Sequence, residues 1–120
     1  MPQDKDVIRL HHMLDHAREA VALAAGRTEA DLSTDRTLEL SLIRLVEVIG
    51  EAAARVSEER RGQHPEINWR VIVGMRHHLI HGYDTIAHDI LWDTVTRNLP
   101  SLIADLEKVL SALEPGGPQD

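Results

Sequence analysis

The chain has 120 residues, 42% of them hydrophobic, and a net charge of −7 with its eight histidines neutral. This length suits one domain and is too short for two. The charge argues against nucleic-acid binding through a broad basic surface, since phosphate affinity comes largely from Lys and Arg; any RNA contact has to be local, through a small basic pocket. The absence of cysteine excludes disulfides and thiolate metal sites and fits a reducing cytosol.

With Trp69, Trp92 and Tyr83 the only aromatic residues, the core has to be built from Leu, Ile, Val and Ala. Such a composition favours helix over sheet. The N-terminal "MPQDKDVIRLHH" is charged, and no apolar run approaches the roughly 20 residues needed to span a bilayer. The expectation is a soluble, cytoplasmic protein with no membrane partner.

The first helix is predicted from about Asp4 to Ala25, because Val7, Leu10, Leu14, Ala17, Val21 and Ala24 recur every three or four residues. Gly26 is a natural stop. "TEAD", Thr28 to Asp31, has the form of a capping box and predicts a short helical turn. The second helix is predicted from about Thr34 to Arg60, with Leu38, Leu42, Leu45, Ile49, Ala52, Ala53 and Val56 as its stripe. Gly50 interrupts that stripe at a cost of about 1 kcal/mol against alanine, which points to a close helix contact. "RRGQHPEI" then forms a loop.

The third helix is predicted to start after Asn68 as N-cap and to run to His81 or Gly82. Its apolar band of Trp69, Ile72, Val73, Met75, Leu79 and Ile80 is wide, as expected of a central, buried helix. The fourth is predicted from about His88 to Leu113, with Pro100 inside it as a kink or break. Residues 1–114 then form one helical domain, and 115–120, "EPGGPQD" less its first residue, a disordered tail. Long amphipathic helices joined by short loops predict an all-α, antiparallel up-and-down bundle of four to five helices. No strand alternation is visible.

The chemistry concentrates in "GMRHHLIHGY", residues 74 to 83. On a continuous helix Arg76 and Tyr83 fall about 20° apart, whereas Arg76 and His81 fall about 140° apart. Two routes unite Arg76 with His81: the helix ends early and frees His81, or two copies of the helix meet and each supplies part of the set. Arginine, histidine and tyrosine without a carboxylate cage suit RNA cleavage by its own 2′-hydroxyl. The imidazole moves the proton, the guanidinium grips the phosphate and stabilises the charge of the transition state, and the phenol positions phosphate or base. No metal or cofactor is called for. A zinc reading rests on the i, i+4 spacing of His77 with His81 and of His12 with His16, but the metalloprotease glutamate is missing and no third ligand is evident. His11, His12, His16, His64 and His88 are expected at the surface. Glu47 and Glu51 share a face of the second helix and are candidates to pair with Arg76 or to orient His81.

"RHHLIHGY" reads R-x4-H-x-Y and resembles the signature of the HepT-like toxins of the HEPN superfamily. "RLVEVIGEAAARV" (Arg44 to Val56) resembles the second-helix segment of that family. "HPEINWRVIVGMRHHLIHGYD" resembles the stretch that leads into its motif, and "DILWDTVTRNLPSLIADL" its last helix. These segments cover about residues 35 to 110 in the expected order. The resemblance implies a helical homodimer with paired motif helices forming a cleft at the two-fold axis. It also implies a metal-independent endoribonuclease that serves as the toxin of a toxin–antitoxin pair. Arg76 and His81 would be its catalytic pair. Its antitoxin would be a minimal nucleotidyltransferase that moves AMP from ATP onto Tyr83. His77 stands where the family often has asparagine; it is polar and able to hydrogen-bond, and ranks with Tyr83, Glu47 and Glu51 as a supporting residue. The alternative is a non-catalytic helical module that binds the nucleotidyltransferase, or a nucleotide, through the same cleft.

Overall fold

The computed structural model describes residues 4–81 and 85–114; the expected tail at 115–120 lies outside them. The described elements are helices joined by short loops, apart from one two-residue β pairing.

Helix α1 spans Lys5–Ala24, capped by Asp4, whose Oδ1 accepts from the amides of Asp6 and Val7. Its buried face is Leu10, Met13, Leu14, Ala17, Ala20 and Ala24. Gly26, at φ 75°, takes the left-handed turn that ends it. In the capping-box segment the Thr28 amide donates to Asp31 Oδ2 at 2.8 Å, and the short helix α2 (Asp31–Thr34) follows. Asp35 then caps α3 (Arg36–Ala54), accepting from the Leu38 amide at 3.0 Å. The Arg27 guanidinium, 2.7 Å away, and that amide hold the Asp35 carboxyl below the usual aspartate range.

The second helix stops at Ala54, short of the expected Arg60. The chain breaks there because other groups satisfy its end. Arg61 donates to the carbonyls of Ala53, Ala54 and Val56, at an end where helical carbonyls lack helical partners. Ser57 is pinned to α1 by Asp6, through its amide at 2.9 Å and its hydroxyl at 2.6 Å. Ser57 in turn caps a new helix, α4 (Glu58–Gln63).

Helix α5 spans Trp69–Leu79, with Asn68 Oδ1 accepting from the Val71 amide as the N-cap expectation required. It stops two residues before His81, and strands β1 (Ile80–His81) and β2 (Thr85–Ile86) pair antiparallel instead. Helix α6 (His88–Asp93) leads into a π-helical turn, Thr94–Asn98, and then α7, Leu99–Leu113. Pro100 therefore does not split the last helix. It sits in the first turn of α7, where its missing N–H costs little, and the wider π turn before it absorbs the mismatch.

Helix α1 packs on both α3 and α7, and α3 packs on α5. Leu10, Met13, Leu42, Ile49, Leu99 and Leu106 are fully buried at their centre, each stabilising the fold by about 1.5–3 kcal/mol. Gly50 makes the α3–α5 crossing close: a Cβ there would lie 3.3 Å from the Ile72 carbonyl oxygen and 3.4 Å from that of Val73. No described helix is long and apolar enough to cross a membrane.

Candidate functional site

Helix α5 turns Trp69, Ile72, Met75 and Leu79 into the core, at the spacing of a single helical face. Trp69 is further fixed by its indole N–H, which donates to the His64 carbonyl at 3.1 Å. The opposite face carries Arg70, Val71 and His77, all exposed. Arg76 stands at the edge next to α3. Its Nε lies 3.0 Å from Glu47 Oε2, with Arg76 57% and Glu47 23% exposed.

That ion pair continues along α3. Arg44 Nη1 lies 3.6 Å from Glu47 and 3.9 Å from Glu51, so the four side chains alternate in sign. Glu47 approaches the inner nitrogen of the Arg76 guanidinium most closely. Glu51 meets Arg44 and not Arg76 among the described residues.

Because α5 ends at Leu79, the helical separation of about 140° between Arg76 and His81 does not apply. His81 lies in β1, opposite Thr85. The Ala87 amide closes the turn on the Leu79 carbonyl at 2.8 Å. The backbone thus reverses within a few residues of Arg76, and both ends of the reversal are hydrogen-bonded. The side chain of His81 and the whole of Tyr83 lie outside the described residues. His77 lines a groove along α5 with Arg61, Arg70, Val73 and Gly74; two guanidiniums and an imidazole make this a locally basic surface on an acidic chain.

The remaining histidines are placed unevenly. His11 pairs with Glu114 at 2.7 Å, and His16 Nδ1 lies 2.6 Å from the His12 carbonyl oxygen. His64 is half-buried, and its Nε2 has no partner among the described residues. His88 departs most from the surface position expected of it. Its Nε2 makes a short contact to Glu39 Oε2, its Nδ1 lies 3.3 Å from Ser33 Oγ, and its side chain is 29% exposed. Nothing in the sequence signals this group, because Glu39 and His88 are 49 residues apart. Among the described residues no three histidine or carboxylate side chains gather where a metal would sit.

The model of the family described as "Ribonuclease HepT-like" matches residues 13–109. The chain is 38% identical over 100 residues to "Probable ribonuclease HepT" of Thermococcus cleftensis, covering 80% of this chain and 91% of that protein. It is 31% identical over 101 residues to "Putative RNase TTE0752" of Caldanaerobacter subterraneus subsp. tengcongensis, covering 84% and 90%. It is 27% identical over 114 residues to "Putative RNase MJ0127" of Methanocaldococcus jannaschii, covering 95% and 94%. No solved structure matches the chain at a significant level.

Proposed function

The chain belongs to the HepT-like ribonuclease family, and from that premise we propose that it is a metal-independent endoribonuclease, the toxin of a toxin–antitoxin pair. The RNA 2′-hydroxyl attacks the adjacent phosphorus and the 5′ oxygen leaves, so the product strand ends in a 2′,3′-cyclic phosphate. Arg76 grips the phosphate and stabilises its added charge. His81 moves the proton. Glu47 fixes the direction of Arg76, with Glu51 supporting it through Arg44, and His77 and Tyr83 contact the RNA beside the scissile bond.

The observation that carries this reading is Arg76 itself: a largely exposed guanidinium, held from behind by Glu47, just before a backbone reversal that contains His81. The exposed face of α5 supports a homodimer. Val71 is 43% exposed there, and nothing lies within 4 Å of a Cβ built on Gly74, so a second α5 has room to approach. A two-fold cleft that held two copies of Arg76 would concentrate positive potential on a chain of charge −7. The antitoxin is a minimal nucleotidyltransferase that places AMP on Tyr83; the added anion fills the cleft and repels phosphate.

Arg76→Ala and His81→Ala should each slow RNA cleavage by about 10²–10³-fold while the protein stays folded and keeps its oligomeric state. Undiminished cleavage by both variants rules the assignment out. The acidic charge favours one other reading, a non-catalytic module that binds the nucleotidyltransferase through the same face. A protein that binds that partner but never cuts RNA at any concentration would select it.

A further inference from the structure

We infer that His88 is a positioning residue for the motif turn: it anchors the far end of that turn to α3 and α2, as Glu47 anchors the near end. This rests on the ribonuclease reading only for its effect on cleavage; the anchor itself is a structural statement.

The described backbone pairing between α5 and α6 is short. Its strands are two residues long, and an isolated hairpin of that size is marginal in water. The N-cap of α6 is Ala87, which has no side chain to satisfy the first amides of the helix. What holds this end is His88, the first residue of α6. One ring nitrogen meets Glu39 on α3, and the other faces Ser33 on α2. Glu39 is 13% exposed; the pair it makes with Arg36 at 3.6 Å is weak, because Arg36 is 80% exposed, so the burial of Glu39 and not Arg36 keeps its carboxylate in place.

Both ends of the segment are therefore tied to one rigid element. Glu39 and Glu47 are eight residues apart on α3, about 12 Å along its axis. Glu47 holds Arg76, and Glu39 holds His88. The hydroxyl of Ser33 both donates and accepts, so the clamp closes on neutral or protonated His88. His81 lies between the two ties. A displacement of about 1 Å in a reacting group costs up to about 10²-fold in rate, so loosening one tie is felt in turnover rather than in RNA binding.

The test compares His88→Ala, His88→Gln and Arg36→Ala in the full chain. Glutamine can donate to Glu39 and accept from Ser33 with one amide. Two readouts are used: hydrogen exchange of the Ala87 amide, and kcat and KM on RNA. His88→Ala should speed exchange and lower kcat about tenfold, with KM within twofold of the parent. His88→Gln should restore both, and Arg36→Ala should change neither. Parental exchange and kcat in His88→Ala, or no rescue by glutamine, overturns the proposal. If the parent protein cuts no RNA, the ribonuclease reading fails, and the exchange data alone decide the anchor.

Discussion

Between α1, α3 and α7 the chain packs Leu10, Met13, Leu42, Val46, Leu99, Leu102 and Leu106 against one another, and Thr94 is the one polar residue buried among the described residues. Between α5 and α6 it does the opposite. There it presents Arg76 and His77 to solvent, abandons the helix after Leu79, and relies on side-chain contacts of Arg76 and His88 with α3. The first region is held by area removed from water and tolerates no charge. The second is held by a few directed contacts, each weak where exposed. Stability and the proposed chemistry are thus assigned to different residues, and α3 touches both: its buried face builds the core, and its outer face carries Glu39, Glu47 and Glu51.

That division can be broken or sharpened by substitution. Leu42→Ala should have the largest effect on stability, a loss of about 2–5 kcal/mol in chemical denaturation. Its cleavage rate per folded molecule should stay at the parental value; a matching fall in kcat would show that core and site are not separable. Gly50→Leu should cost about 1–3 kcal/mol by overpacking, because the carbonyls of Ile72 and Val73 belong to α5 and cannot step aside singly. It should also lower kcat, since α5 carries Arg76. Loss of stability without loss of rate would mean that α5 repacks without moving the site. Glu47→Ala should have the smallest effect on stability, under about 1 kcal/mol for a pair this exposed, yet should slow cleavage. A stability loss above that range would place Glu47 with the core residues.

The helices were legible because burial imposes a period. The buried stripe of α3, Leu38, Leu42, Leu45, Ile49 and Ala52–Ala53, follows the spacing of the apolar residues in the chain. The caps Asn68 and Gly26 were legible because their side chains, or the lack of one, act on neighbouring backbone. Gly50 announced a close contact but not its partner. The ends of elements were less legible where distant groups decide them. Helix α3 ends early because Arg61 reaches back to its carbonyls and Asp6 of α1 takes Ser57. The last helix accommodates Pro100 through a π turn that no local propensity encodes. His88 has no local signal at all, since its partners lie in α2 and α3. The candidate site stands out in the sequence as a pattern of residue types, and the roles proposed for those residues come from the resemblance to a family. The contact of Arg76 with Glu47, across 29 residues of chain, follows from how α3 and α5 cross at Gly50, which spacing within either helix does not fix.

The most direct measurement is the chemistry of the RNA ends made by the purified protein in excess chelator, with Arg76→Ala run alongside. The account predicts cleavage undiminished by the chelator, product strands ending in 2′,3′-cyclic phosphate, and the same products from Arg76→Ala formed about 10²–10³-fold more slowly. Cleavage that stops when metal is removed, or the same cyclic ends from Arg76→Ala at the parental rate, would contradict it.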